Sequence, residues 1–166
     1  MAVEIERKFF VKNIDFLKGL EAKKMSQAYL TKGDGAAVRL RLVDEEAFLT
    51  IKGPTEGFSC LEFEYNIPAH DAEEMMEKLC AKPYIQKKRY NLAEPSGLVW
   101  EVDVFAGENE GLVIAEIELS SESQQFEVPD WLGDEVTGNP AYYNACLNKN
   151  PYKEWGDYFL DTQDLL

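Results

Sequence analysis

The chain has 166 residues, 45% of them apolar, and carries 17 Lys and Arg against 31 Asp and Glu for a formal net charge of −14. That length and apolar content suit a single domain over residues 1–166 with its own core. The acidic balance excludes a sequence-independent nucleic-acid binder or a ligand of anionic membranes, yet leaves room for one small polyanion bound locally.

In chain order, alternation of polar and apolar residues predicts a strand over 3–11, whose charges at Glu4, Glu6, Arg7 and Lys8 also break up the apolar core a signal peptide needs. Helical spacing follows over 14–24, then strands over 26–32, 37–43, 46–52 and 60–67. A helix over 71–81 buries Met75, Met76 and Leu79, and His70 before it reads as a capping or solvent residue. Strands over 85–92, 98–106 and 112–119 come next. A helix over 121–127 opens on Ser121-Glu122-Ser123-Gln124, a capping box, and another covers 140–149. Val43-Asp44-Glu45-Glu46 and Glu94-Pro95-Ser96-Gly97 carry turn chemistry, which favours antiparallel hairpins. The fold class is α+β, dominated by one eight-stranded antiparallel sheet. Trp155, Tyr158, Phe159 and Leu160 in the acidic extension 153–166 are expected to pack on the sheet or on a partner chain. Cys60, Cys80 and Cys146 are odd in number and form no CxxC pair, so they read as reduced thiols; with no segment of ~18 uninterrupted apolar residues, the expected location is cytoplasmic.

The strands share a pattern. Glu62-Phe63-Glu64, Glu101-Val102-Asp103 and Glu116-Ile117-Glu118 repeat the acid, apolar, acid triplet of Glu4-Ile5-Glu6, while Arg39-Leu40-Arg41 and Lys87-Lys88-Arg89 place bases at the same spacing, with Lys52 ending another strand. Side chains two apart share a face. For a single triplet the ordinary reading is a solvated sheet face. Across many strands, with like charges sorted together, the pattern favours an inverted barrel. Charges then line the inside and Ile5, Leu40, Phe63, Val102 and Ile117 point outward under the helices.

Glu4, Glu6 and Lys8 in an ExExK motif, followed in order by RxR, a strand Lys, ExE, KxR, ExD and ExE, resemble the CYTH family, also called triphosphate tunnel metalloenzymes. The strings VEIERKFFV, QAYLTK, VRLRL, LTIKG, VWEVDVF, IAEIEL and GDEVTGNPAYYN are similar to its short bacterial members over about residues 2–152. The resemblance implies a closed eight-stranded antiparallel barrel forming a tunnel, flanked by helices, in which a divalent metal assists chemistry on triphosphates. By position it implies that Lys8, Arg39, Arg41, Lys52, Lys87 and Arg89 hold phosphate oxygens and carry catalysis. Glu62 and Glu64 would line the same substrate tunnel. Glu4, Glu6, Asp103, Glu116 and Glu118 would bind two Mg²⁺ or Mn²⁺ ions.

These residue types suit phosphoryl transfer, which needs charge neutralisation and in-line positioning more than a covalent nucleophile. Arg offers bidentate forks to phosphate, and carboxylates are the hard ligands such cations take. Counting Glu101, eight tunnel acids face six bases, a net −2 that would repel a polyanion without cations. The leading expectation is a tripolyphosphatase releasing pyrophosphate and phosphate, with weaker nucleoside triphosphatase activity. The alternatives are an enzyme like class IV adenylate cyclases or thiamine triphosphatases, and a non-catalytic polyphosphate- or nucleotide-binding module. The expected partner is a small polyanionic triphosphate, with no nucleic acid and no membrane, and a homodimer is left open. Two positions depart from the bacterial pattern: Cys60 and Ala141 stand where many members carry Arg. Tyr29 is a packing aromatic that could also approach the tunnel mouth.

Overall fold

Alternation alone fixes most of the strands, and in a computed structural model of the chain, which describes residues 3–31 and 35–166, they fall close to the predicted ranges. They are β1 (Val3–Val11), β2 (Lys23–Thr31), β3 (Ala37–Val43), β4 (Glu46–Lys52), β5 (Ser59–Ile67), β6 (Ile85–Ala93), β7 (Val99–Phe105), β8 (Val113–Glu118) and a short β9 (Leu132–Glu135). Two α-helices, α1 (Ala69–Leu79) and α2 (Asn144–Lys149), complete the regular elements. Lys32, the predicted end of the second strand, lies outside the described residues, as do residues 1 and 2.

The strands run β5-β4-β3-β2-β6-β7-β8-β1, and β1 pairs back onto β5 to close the barrel. Every pairing is antiparallel. β1 is the seam. One of its edges pairs with β8 through Glu6↔Glu118 to Phe10↔Ile114. The other is shared, with Val3 to Ile5 against β5 and Phe9 to Val11 against β9. β9 thus covers the edge that β5 leaves open. Closure removes free edges and fixes which residues face inward.

The outer face carries two apolar layers. Phe9, Trp100, Val102, Ala115 and Ile117 pack under the segments around Phe126, Trp131 and Leu165, and Leu40 with Ala28 packs under Met76 of α1. Among the predicted outward residues, Leu40, Val102 and Ile117 are fully buried, whereas Phe63 is uncovered at 43% exposure. Irregular chain does most of the covering that the sequence assigns to helices. The extension takes part: Lys88 Nζ donates to the Leu165 carbonyl at 3.1 Å, and Leu160 N to the Gly111 carbonyl at 2.9 Å. Gly111, at φ +99, also lies so close to Phe159 that an added Cβ would sit 2.6 Å from its ring.

The inner face is divided along its length. Ile85 opposes Gln27, Phe105 opposes Lys87, and Ile114 opposes both Asp103 and Phe10, so these apolar side chains share the interior with charged ones. Together with Leu112, Val136, Leu147 and Tyr152 they form an apolar plug at one end, stacked against α2 and Trp155. The charged residues occupy the rest.

Three predicted helices differ from the structure. Over 14–24 only a 3-10 turn at Asp15–Leu17 forms, because Gly19 takes φ +82 and β2 already begins at Lys23. Over 121–127 there is a turn: Gln124 Oε1 reaches back to Ser120 N and Oγ at 2.6 and 2.8 Å, and Phe126 is drawn onto Trp100 and Phe9. The segment 140–149 breaks at Tyr143 (φ −70, ψ 137) into a 3-10 turn, Pro140–Tyr142, and α2. β9 escapes pattern reading because four residues with one apolar side chain carry no periodicity. Among the described residues no helix is long and apolar enough to cross a membrane.

Candidate functional site

Strand order sorts the inward charges. Around the barrel β7, β8, β1 and β5 are consecutive, and they carry Glu101, Asp103, Glu116, Glu118, Glu4, Glu6, Glu62 and Glu64. The opposite arc, β4, β3, β2 and β6, carries Lys52, Arg39, Arg41, Lys87 and Arg89, with the uncharged Gln27 and Tyr29 from β2. Lys8 is the exception, a base on the acidic arc. A carboxylate wall therefore faces a basic wall across one cavity of about 390 Å³.

Beneath the cavity, where it meets the apolar plug, lies a buried ion cluster of Asp103, Lys87 and Arg89, joined by the partly exposed Glu101. Asp103 accepts from Arg89 Nε at 2.7 Å, Arg89 Nη2 at 2.8 Å and Lys87 Nζ at 2.7 Å, while Arg89 Nη1 donates to Glu101 at 2.6 Å. Lys87 also donates to Asn144 Oδ1 of α2 at 3.1 Å. Burial would raise the Asp103 carboxyl, but Arg89 and Lys87 outweigh it and hold it below its ordinary range. Burial pushes the Lys87 amine down to about 7, helped by Arg89 and Arg41 and only partly offset by Asp103.

Of the sequence-predicted site residues, Lys8, Arg39, Arg41, Lys52, Arg89, Glu62, Glu64, Glu4, Glu6, Glu116 and Glu118 line the cavity together. Lys87 and Asp103 do not; they form its floor, and Asp103 has both oxygens engaged by cations. The sequence expects Asp103 to bind metal, whereas its geometry is that of an anchor for Lys87 and Arg89. His70 is exposed on α1 beside Asp71, away from the site. Tyr29 does reach the wall. Burial is the main reason its hydroxyl sits above its ordinary range. Gln27, Thr50, Tyr143 and Asn144 are additions. Gln27 shares the period-2 face of Tyr29, which is the signal that could have revealed it.

On the acidic wall Lys52 Nζ lies 2.7 Å from Glu4, 3.6 Å from Glu6 and 3.8 Å from Glu62, and Lys8 Nζ lies 3.4 Å from Glu116. One amine thus serves three carboxylates. Burial, together with Glu116 and Glu4, raises the Glu6 carboxyl to about 8 despite Lys52 and Lys8. Glu118 has no ion pair among the described residues, and burial with Glu4 and Glu101 raises it. Beside this wall the Cys60 thiol sits 3.6 Å from Glu4, and burial pushes it up to about 11. Ala141 donates its backbone N–H to Asn139 on the turn before Tyr143 and Asn144.

On the basic wall Arg39 Nη2 donates to Thr50 Oγ1 at 3.2 Å and Glu64 at 3.5 Å, and Thr50 donates to Glu64 at 2.9 Å. Arg41 Nε donates to Gln27 Oε1 at 2.8 Å, with no carboxylate in ion-pair range among the described residues. Five bases and seven carboxylates line the cavity, a net −2 when all are ionised.

Whether a divalent cation suits this wall can be judged from its donors. Among the described residues no three acidic, thiol or imidazole side chains already converge on one point as a ligand set, since Glu4 and Glu6 are drawn onto Lys52. In kind, however, the donors fit: hard oxygens from seven carboxylates that line the cavity against five bases.

A family model described as the CYTH domain matches residues 2–143. A protein of Acetivibrio thermocellus named inorganic triphosphatase is 47% identical over 155 residues, 93% of this chain and 99% of that protein. One of Nitrosomonas europaea with the same name is 38% identical over 148 residues, covering 87% and 95%. A solved structure of an inorganic triphosphatase superposes with a TM-score of 0.64 at 36% identity, covering 89% of this chain and 95% of that one.

Two expectations follow from the geometry. Asp103→Asn leaves the buried Lys87 without its counter-charge and Arg89 with Glu101 alone, so the unfolding free energy should fall by ~3–5 kcal/mol in denaturant titration. Glu6→Gln should reveal the crowding of the acidic wall. A carboxyl raised from 4.5 to about 8 favours the fold fully below its unfolded value, and loses that contribution as pH rises through 8. In chelator, thermal unfolding should therefore find the Gln variant more stable than the parent above pH 8, with the advantage vanishing as pH falls toward 4.5.

Proposed function

We propose that this chain, which belongs to the CYTH domain family, hydrolyses inorganic tripolyphosphate to pyrophosphate and phosphate with divalent-metal assistance. The observation that carries this reading is the cavity whose basic and acidic walls face each other, at a formal net −2 when all its groups are ionised. The names of the two curated relatives support the substrate. A polyanion entering such a space needs both walls: bases to hold its oxygens, and cations on the carboxylates to cancel the remaining repulsion.

Arg39 and Arg41 grip phosphate oxygens from the basic wall, and Lys52 and Lys8, both beside carboxylates of the acidic wall, add point charges to the same space. Asp103 holds Arg89 and Lys87 beneath, so these act chiefly by shaping and charging the floor. Glu4, Glu6, Glu116 and Glu118 are the candidates to hold one or two Mg²⁺ or Mn²⁺ ions. Held there, such ions would supply charge neutralisation for the phosphate and acidify a water. Hydrolysis joins a water oxygen to the terminal phosphorus as the bridging P–O bond breaks, and pyrophosphate leaves with the electron pair. No residue of the wall needs to become covalently modified.

Phosphate release should be measured over tripolyphosphate, ATP and thiamine triphosphate with each metal and in chelator. The expected result is the highest kcat/KM on tripolyphosphate and no turnover in chelator. Cyclic AMP formed from ATP, or tight binding of all three compounds without turnover, would overturn the assignment. The metal ligands are tested separately by calorimetry with a non-hydrolysable triphosphate analogue. Metal and analogue should tighten each other's apparent affinity by the same factor. Equal analogue affinity in excess chelator and in excess metal would instead make the carboxylates ion-pair partners that orient Lys and Arg.

A further inference from the structure

The three cavity arginines are held differently. Arg89 places Nε, Nη1 and Nη2 on carboxylates, so its charge is matched within the protein. Arg39 is tied through Nη2 to Thr50 and Glu64. Arg41 makes one bond, from Nε to the neutral Oε1 of Gln27 at 2.8 Å, and its Nη groups carry no bond to a described residue although the side chain lines the cavity.

Gln27 is fully buried, on the inner face of β2 directly across from Arg41 of β3. Its amide orientation is forced. Turning the group over would put its NH2 against the Arg41 Nε–H, two donors face to face. In the observed orientation Nε2 has no acceptor among the described residues. A buried amide with half of its hydrogen-bonding capacity unmatched is a poor choice for stability alone. A carboxylate at the same place would pair with Arg41 more strongly, and would also cancel its charge.

We propose that Gln27 is a positioning residue that fixes the Arg41 guanidinium through Nε while leaving its charge and both Nη groups free to fork a phosphate of the substrate. This rests on the triphosphate reading above and adds to it the device that separates a substrate-binding arginine from a structural one. Holding the guanidinium edge-on by Nε presents the Nη pair as a preorganised fork, and the neutral acceptor keeps the local potential positive where Arg39 and Arg89 already crowd it. Burial, and after it Arg39 and Arg89, bring the Arg41 guanidinium down to about 10.

The test is Gln27→Glu, with Gln27→Leu as the second variant. Each is measured for tripolyphosphate KM and kcat, calorimetric affinity for the non-hydrolysable analogue, and thermal unfolding. Q27E should weaken analogue binding about tenfold or more, the loss of one charge-assisted phosphate contact, while its melting temperature stays level or rises because the new carboxylate pairs with Arg41. Its deficit relative to the parent protein should close as pH falls and the introduced carboxyl takes up a proton. Q27L, which removes the acceptor without neutralising the charge, should raise KM severalfold with the fold retained. Were Q27E to fail to fold, Q27L would still decide the matter. Either folded variant binding the analogue and tripolyphosphate within twofold of the parent would overturn the proposal, and leave the triphosphate reading standing. Absence of analogue and tripolyphosphate binding by the parent protein would instead overturn that reading and this inference together.

Discussion

A carboxylate with almost no exposure, Asp103, sets the terms for the interior of the barrel. It sits where the apolar plug meets the charged cavity, with Ile114 as its cross-strand neighbour, and it engages Lys87 and Arg89 through three hydrogen bonds. Taking an ion out of water costs several kcal/mol, so cations at this depth are tolerable only with a counter-charge in good geometry. Asp103 supplies that, and Asn144 takes a further donor from Lys87. The floor is polar and hydrogen-bonded, and through Asn144 it ties α2 to the barrel. Replacing such a cluster by packed hydrophobes need not weaken a fold. Its value here is to specify where the plug stops and the cavity begins.

A division of labour among like residues follows from this floor. Lys87 and Arg89 look equivalent to Arg39 and Arg41 in sequence, since all belong to base-x-base strand motifs. Cross-strand partners separate them. β6 pairs with β7, an acidic strand, so Arg89 meets Asp103 directly. β3 lies between β2 and β4, so Arg41 meets Gln27 and Arg39 meets Thr50. Position in the strand order, more than residue type, decides which cation is neutralised within the protein and which stays available to an anion.

That order also explains what pattern reading could and could not recover. A period of two is written into every triplet, so the inward set from Glu4 to Glu118 was legible, as was closure once eight strands shared one charged face. Pairing order is non-local and no single strand carries it. Lys87 and Asp103 therefore looked like wall residues on equal terms with the rest, although the register buries them. Gln27 is harder to read for a related reason: period two places it on the inner face with Tyr29, but an uncharged residue in a charged ring gains a role only once Arg41 is seen to lack a carboxylate. The helices over 14–24 and 121–127 failed where local spacing competed with tertiary contacts. Phe16 stacks on Trp131, and Phe126 is held edge-on to Trp100, both placed to cover the barrel where no helix does.

The same seam that closes the barrel concentrates its shortage of positive charge. Cys60 stands directly across from Glu4 at the β1–β5 junction, where an arginine would give Glu4 a cation of its own. A thiol held protonated by burial cannot do so, and Lys52 is left to answer Glu4, Glu6 and Glu62 together. On the other edge of β1, Glu6 lies opposite Glu118, two carboxylates in register with no base between them. Burial raises both carboxyls, helped by Glu116 and Glu4 at Glu6 and by Glu4 and Glu101 at Glu118. The imbalance of the cavity is therefore not spread over the wall but gathered along β1. A cation entering this barrel would find the most to gain along that strand, beside the amines of Lys8 and Lys52 that face the same space.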